Sequence, residues 1–235
     1  MYKRQGKECA VFQNRRWDAD FLTVKRLIAA GTLGDIIQFE SHFDRYRPDV
    51  QDRWKDRRAS GIWQDLGPHL VDQALNLFGM PIAIFADLAS QRAGATAPDY
   101  AHVVLRYDRL RVILHISQST HAYRRRYFVH GTNASYQKLG TDPQEDQSKA
   151  GLKPEHPEWG IDHHRGTLIC VQDDGTTIET AIENERGNYL AFYSAMRNAV
   201  LGNAPCPVPP AEALDVMHVL AAGLTSAETG REVRL

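Results

Sequence analysis

The sequence predicts an α+β (α/β) fold, built on an open, mainly antiparallel sheet with helices on one of its faces. Six short strand-like segments lie at 82–90, 100–107, 110–119, 126–131, 167–172 and 175–182. Turn-forming residues join neighbouring strands at Asp108-Arg109 and at Asp173-Asp174-Gly175, a composition typical of hairpins. Consecutive short strands joined by tight turns favour antiparallel pairing, because parallel strands need long crossovers.

The segments before this sheet predict a short buried strand, two helices and one further strand. Residues 8–13 are largely apolar and predict the buried strand. The first helix is capped by Asp18 and ends at Gly31, and the alternating segment 37–43 follows as a strand. The second helix runs to Phe78, where a Gly and a Pro supply the stop.

The C-terminal third predicts a long loop, two helices and a closing strand. Residues 140–166 are rich in Pro, Gly, Asp and His and predict the loop. Helices are predicted at 188–201 and 211–228, separated by a proline-rich segment, with a strand at 231–235.

Composition limits the possible functions. The chain has 235 residues, 43% of them hydrophobic, and a net charge of −1, values typical of a globular protein with a real core. Nucleic-acid binding needs a clustered basic face, and the one basic run, Arg124-Arg125-Arg126, is interpreted as a solvated strand end. No apolar run reaches the roughly 20 residues of a membrane span. Three scattered cysteines favour a reducing compartment. We therefore expect a cytoplasmic protein that binds neither nucleic acid nor membrane.

Asp65 and His69 form the most informative pair of side chains in the sequence. They are four residues apart, so on a helix they project from one face about one turn apart. A carboxylate in that position can fix the tautomer of a histidine or support its positive charge, as an acid–base histidine requires. The alternatives are a solvated polar face, or a metal site with Asp72. We expect no metal, because no second ligand cluster has suitable spacing.

A series of motifs resembles the glucose–fructose oxidoreductase / inositol dehydrogenase / MocA family. Segment 61–72, GIWQDLGPHLVD, is similar to the G-x-x-x-D-x-G-x-H-x-x-D helix of that family. Further motifs occur in the family's order: NRRW at 14–17, GTLG at 31–34, GTNAS at 131–135, WG at 159–160 and SAETGREV at 226–233. Each motif is weak alone, but the ordered series covers about residues 7–235 and is specific.

This resemblance implies an NAD(P)-dependent oxidoreductase that transfers hydride between a nicotinamide cofactor and a polyol, sugar or related small alcohol. His69 matches the family's acid–base histidine, and Asp65 matches the aspartate that assists it and contacts substrate. The family's third catalytic residue is a lysine in an E-K-P motif, which does not occur in this sequence.

The family's phosphate-binding motif, G-x-G-x-x-G, is also absent from these residues. We therefore expect a remnant strand and helix of a Rossmann domain, with 1–17 as the end of the dinucleotide-binding domain. Residues 18–235 are expected to form the C-terminal α/β oxidoreductase domain, used for substrate binding and oligomerisation. NAD or NADP would bind in the full-length parent, and the chain alone is expected to be inactive.

Seven further residues are candidates for contact with cofactor or substrate. On the cofactor side we expect Asn14, Arg15, Trp54 and Lys55, the last two because they resemble a W-R pair that approaches the cofactor in some relatives. In the substrate pocket we expect Arg45, Trp63 and Tyr123, because they lie at strand or helix ends on the expected side.

The second face of the predicted sheet suggests a partner. It carries His102, Val104, Arg106, Ile113 and His115, which is too apolar a set for a purely solvated surface. The resemblance implies that this face packs against another subunit, so we expect a homo-oligomer. Two other functions remain open: a cofactor-free binding or interaction module, and an NAD-dependent glycoside hydrolase of the same superfamily.

Overall fold

A nine-stranded sheet forms the frame of the described part of the chain, which comprises residues 7–50, 61–122 and 124–235 of a computed structural model. The strands are β1 (Ile36–Asp44), β2 (Ala83–Ala89), β3 (Tyr100–Arg106), β4 (Arg111–Ser117), β5 (Arg125–Gly131), β6 (Ser135–Leu139), β7 (Gly166–Val171), β8 (Thr177–Ile182) and β9 (Val233–Arg234). The helices are α1 (Ala19–Ala29), α2 (Gly61–Phe78), α3 (Gln144–Lys149), α4 (Leu190–Val200) and α5 (Pro210–Thr229), after a 3-10 turn at Asn14–Trp17.

The sheet is open and mainly antiparallel, as predicted. Its strand order is β8-β7-β6-β5-β1-β4-β3-β2-β9. Only β1 and β4 run parallel among the described pairs, and the chain between them supplies the crossover that a parallel pair requires. The first strand in the sequence therefore lies in the middle of the sheet, between β5 and β4.

The helices cover one face of this sheet, where the core lies. Phe39, Val103 and Leu114, one from each of three strands, are fully buried on this face. In a strand every second side chain points to the same face. Leu70 of α2 and Leu220 of α5 belong to the same buried cluster. On the other face, side chains such as those of Val104 and Ile113 are only half-buried.

The predicted strand at 8–13 is not observed. The described residues of this segment belong to no strand, and Val11 and Phe12 are exposed. The backbone N–H of Val11 donates to the carbonyl of Val208, and the ring of Phe12 contacts that of Phe192. A strand needs a neighbouring strand to pair its N–H and C=O groups, and none of the described strands lies beside this segment.

Two elements lie where no regular structure was predicted. Strand β6 follows the turn at 131–134, and its inward side chains include the buried Lys138. The ammonium of Lys138 lies 2.8 Å from the buried carboxylate of Asp162, so a charged residue occupies a position where alternation would require an apolar one. Helix α3 lies within the predicted loop 140–166 and has only six residues, too few to show a helical period.

Candidate functional site

Helix α2 places Asp65 and His69 one turn apart, as the motif predicted. The helix is continuous from Gly61 to Phe78 and passes through Pro68 without interruption. It begins at Gly61, whose φ of +49° suits glycine, and a Cβ there would lie 2.0 Å from the carbonyl oxygen of Pro98. Asp65 and His69 are both half-buried.

His69 has a buried ring nitrogen that no neighbour uses. Its Nδ1 has no hydrogen-bond partner in the described part of the chain. Burial, followed by the positive charges of Arg15 and Arg126, lowers the pKa of His69 to about 4, although Asp65 opposes the shift. The imidazole is therefore neutral near pH 7. An unpartnered buried polar atom costs free energy, and a ligand that hydrogen-bonds to Nδ1 would remove this cost.

Arg15 exerts the largest effect of any charge on the pKa of His69. Its guanidinium donates to Asp18 Oδ2 at 3.3 Å and to Glu145 Oε2 at 2.7 Å, and it lies 4.9 Å from the centre of the Phe43 ring. These contacts hold Arg15 within the chain. A cofactor role for Arg15 stays a prediction, as does that of Asn14, which is half-buried at the start of the 3-10 turn.

Glu145 is a charged residue of this region that the sequence did not indicate. It lies on α3 and accepts hydrogen bonds from Arg15 and, at 2.7 Å, from Lys149. Burial alone would raise the pKa of Glu145, but the hydrogen bonds and charges of Lys149 and Arg15 outweigh burial and lower it to about 2. Glu145 is therefore a stable anion, and its negative charge partly offsets the effect of Arg15 on His69.

Arg126 is the centre of a buried network of hydrogen bonds. Arg126 donates from Nε to Asp20 at 2.8 Å, from Nη1 to Ser41 at 3.0 Å, and from Nη2 to Gln73 at 3.1 Å and Tyr127 at 2.7 Å. Its side chain is fully buried. The interpretation of residues 124–126 as a solvated strand end is therefore wrong for Arg126, which β5 turns towards the interior, whereas Arg124 and Arg125 are exposed.

Arg45 lies in a cleft beside Asp65. The residue follows β1, is half-buried, and lines this cleft together with Ile62, Asp65, Arg92 and Gln118. Burial and the neighbouring Arg47 lower the pKa of Arg45, while Glu145 and Asp65 act in the opposite direction. Arg45 is thus close to Asp65, and its contact with substrate stays a prediction.

The predicted pocket role of Trp63 is wrong. Trp63 is 0% exposed, and its indole N–H donates to the carbonyl of Leu220 at 3.1 Å. Gly67 and Gly223 leave room for the indole, because a Cβ at either position would lie within about 3 Å of it. Trp63 therefore joins α2 to α5 in the core. Three other predicted residues, Trp54, Lys55 and Tyr123, lie outside the described residues.

Asp72 belongs to an ion pair. Its two carboxylate oxygens accept from Arg16 Nε at 2.8 Å and Nη2 at 2.7 Å, and Arg16 also donates to Glu212 at 2.6 Å. Both oxygens of Asp72 are therefore occupied. The alternative in which Asp65, His69 and Asp72 share one metal ion has no support among the described residues.

Comparisons with known proteins identify the family to which this chain belongs. Residues 25–235 match the family described as "Oxidoreductase family, C-terminal alpha/beta domain", of Gfo/Idh/MocA. The chain therefore belongs to the glucose–fructose oxidoreductase / inositol dehydrogenase / MocA family, and it matches the C-terminal domain of that family.

Relatives include the Escherichia coli (strain K12) protein YdgJ, an uncharacterised oxidoreductase that is 46% identical over 96% of this chain and 66% of its own length. The Bacillus subtilis (strain 168) protein IolW, named scyllo-inositol 2-dehydrogenase (NADP(+)), is 39% identical over 98% of this chain and 65% of its own length. The solved structure of the oxidoreductase YPO2259 from Yersinia pestis has a TM-score of 0.93 and 46% identity, and covers 96% of this chain and 64% of that one.

The chain thus spans about two thirds of the length of the curated relatives it matches. None of the helices in the described ranges is long and apolar enough to cross a membrane.

Proposed function

We propose that this chain is the substrate-binding part of an NAD(P)-dependent oxidoreductase that acts on a polyol, sugar or related small alcohol. The observation that carries the proposal is the neutral imidazole of His69, with its unpartnered Nδ1, one turn from Asp65. A substrate hydroxyl would supply the missing hydrogen bond. The Bacillus subtilis relative is named as a scyllo-inositol dehydrogenase that uses NADP(+), and this name supports the same substrate class.

The described residues fit the substrate side of such a site. His69 offers an unsatisfied nitrogen, and Arg45 and Asp65 line the adjoining cleft. A glycine-rich phosphate loop is not among these residues, so the contacts to the cofactor phosphates would come from elsewhere in the protein. When bound, the nicotinamide accepts or donates the hydride.

The residues of this chain would carry out the proton transfer that accompanies hydride transfer. A neutral His69 can accept the hydrogen bond of the substrate hydroxyl and then its proton. The negative charge of Asp65 supports the imidazolium, whereas burial, Arg15 and Arg126 oppose it. A proton on His69 is therefore held weakly, which favours its return to the substrate oxygen in the direction of carbonyl reduction.

We also propose that the open face of the sheet meets a second copy of the chain, because its side chains are half-buried and partly apolar. A cytoplasmic location fits the three free cysteines, Cys9, Cys170 and Cys206.

The test is the substitution His69→Ala in the complete protein that contains this chain. NAD(P)H absorbance is followed with a panel of inositols and aldoses as substrates. Turnover should fall by about 10²–10⁴-fold, the usual contribution of a positioned acid–base group, while cofactor affinity changes little. His163→Ala is the matched control, because that histidine is exposed on a loop and lies beside Glu158.

Three results would contradict the proposal. Turnover within about tenfold of the unaltered protein would make His69 a structural residue. Cleavage of a glycoside with no net change in NAD(P)H would assign the hydrolase alternative, because the cofactor returns to its starting state in that reaction. Binding of a sugar without any dependence on NAD(P) would assign the cofactor-free module.

A further inference from the structure

A second cluster of ionisable side chains lies on the sheet face opposite the core. His42 and Asp44 alternate with the core residue Phe43 along β1, so they lie on the other face. In the parallel pairing of β1 with β4, His42 stands opposite His115. Two imidazoles and one carboxylate therefore meet across the only parallel strand pair described. The proposed oxidoreductase site uses none of them.

The three residues of this cluster lie close enough together to share one metal ion. His42 Nδ1 lies 3.3 Å from Asp44 Oδ2, and His115 Nε2 lies 3.5 Å from Asp44 Oδ1. One ligand atom from each residue lies within 4.8 Å of the other two. A tetrahedral zinc ion with ligands about 2.0–2.1 Å away separates its ligand atoms by about 3.3 Å. Two of the separations are already close to this value, and the three ligand atoms, which lie within 4.8 Å of one another, would move inward to surround an ion.

The remaining ring nitrogens have the partners that metal-bound histidines usually have. His42 Nε2 lies 3.1 Å from Glu40 Oε2, and Gln38 donates to the other oxygen of Glu40 at 2.5 Å. His115 Nδ1 lies 3.2 Å from His102 Nδ1. A histidine that binds metal through one nitrogen normally donates the other N–H to a carboxylate or another acceptor, which fixes its tautomer and orientation.

Burial distinguishes this cluster from an ordinary group of surface charges. The side chains of Asp44, His42 and His115 are only 3%, 7% and 18% exposed. Asp44 Oδ1 has no hydrogen-bond partner in the described residues, although His115 Nε2 lies 3.5 Å away. A buried carboxylate oxygen without a partner is costly, and a cation at this point would satisfy it.

We propose that His42 Nδ1, Asp44 and His115 Nε2 bind a divalent transition metal ion, with Zn²⁺ as the best match. Imidazole and carboxylate ligands suit zinc, and three protein ligands leave one position for water. This differs from the expectation of no metal drawn from the sequence. The ion would tie β1 to β4 and stabilise the centre of the sheet. The proposal is independent of the proposed oxidoreductase function.

The test measures metal binding by the complete protein, prepared without a polyhistidine tag and treated with EDTA. Calorimetric titration with Zn²⁺ should show one equivalent that His115→Ala lacks or binds at least about 100-fold more weakly, since loss of an outer-shell partner alone costs 10–100-fold. Co²⁺ should give the visible absorption of a tetrahedral site. Zn²⁺ should also raise the Tm of the unaltered protein but not that of His115→Ala, because a ligand that binds only the folded state stabilises it.

Matched controls separate this site from binding by surface histidines. His163→Ala removes a histidine that is 74% exposed and lies beside Glu158, and it should leave the equivalent in place. Circular dichroism checks that His115→Ala is folded, and Asp44→Asn provides a second variant that keeps the shape of the side chain. The proposal is overturned if folded, unaltered protein binds no equivalent of Zn²⁺, or if folded His115→Ala and Asp44→Asn bind it as tightly as the unaltered protein.

Discussion

The neutral state of His69 should make the free energy of unfolding depend on pH. The pKa of this histidine falls from an ordinary value of 6.5 to about 4 in the folded chain, through burial and the charges of Arg15 and Arg126. Between these two values the unfolded chain binds more protons than the folded chain. Stability contributed by neutral His69 is therefore fully present above the unfolded pKa and is lost as the pH falls from about 6.5 towards 4.

The size of the effect follows from the two pKa values. At about pH 5 the unfolded histidine is almost fully protonated and the folded one is mostly neutral, so His69 lowers the free energy of unfolding by about 2 kcal/mol relative to about pH 7.5. His69→Gln keeps a polar side chain of similar length but cannot take up a proton in this range. The variant should therefore lose about 2 kcal/mol less than the unaltered chain over the same change in pH.

Urea unfolding at the two pH values, followed by circular dichroism, provides the assay. The loss in free energy of unfolding must be compared between the unaltered chain and His69→Gln, because Asp142 also titrates. Burial, followed by the charge of Asp20, raises the pKa of Asp142 to about 6. That shift makes stability fall as the pH rises, with the opposite sign, but it is present in both proteins and cancels. Equal losses for the unaltered chain and His69→Gln would show that His69 titrates normally and would refute the reasoning.

Two further sets of substitutions test the packing of the fold by urea unfolding. Arg126→Met should lower the free energy of unfolding by about 3–5 kcal/mol, because it leaves Asp20 buried without its cation. Adding Asp20→Asn should recover part of this loss. A loss below about 1 kcal/mol for Arg126→Met would mean that Asp20 is satisfied without Arg126. Gly131→Ala should cost about 3 kcal/mol or more, the upper end of the usual cost of overpacking, because its Cβ would lie 2.0 Å from the carbonyl oxygen of Leu33. Its control, Gly31→Ala, has φ of +67° and open space around it, so about 1–2 kcal/mol of backbone strain is its only expected cost; if both alanines cost the same, the collision with Leu33 is not the cause.

The sequence by itself determined the elements whose pattern is local and the pair of residues that share one helix. Alternating side chains located most strands, and a glycine marked the end of α2 at Phe78, because period and punctuation are written in consecutive residues. Asp65 and His69 were predicted to share a helical face for the same reason. Short elements without a clear period, β6 and α3, were not predictable in this way.

Only the tertiary structure decided which distant residues meet and which way they face. Glu145 reaches Arg15 across 130 positions, and β5 turns Arg126 inward although its neighbours in sequence are also basic. Trp63 is a core residue because α5 packs against its indole at Gly223, where no side chain intervenes. His42 meets His115 only because β1 enters the middle of the sheet and pairs with β4 in that register. Burial, strand register and long-range ion pairing arise from the packed chain as a whole, so no local pattern in the sequence carries them.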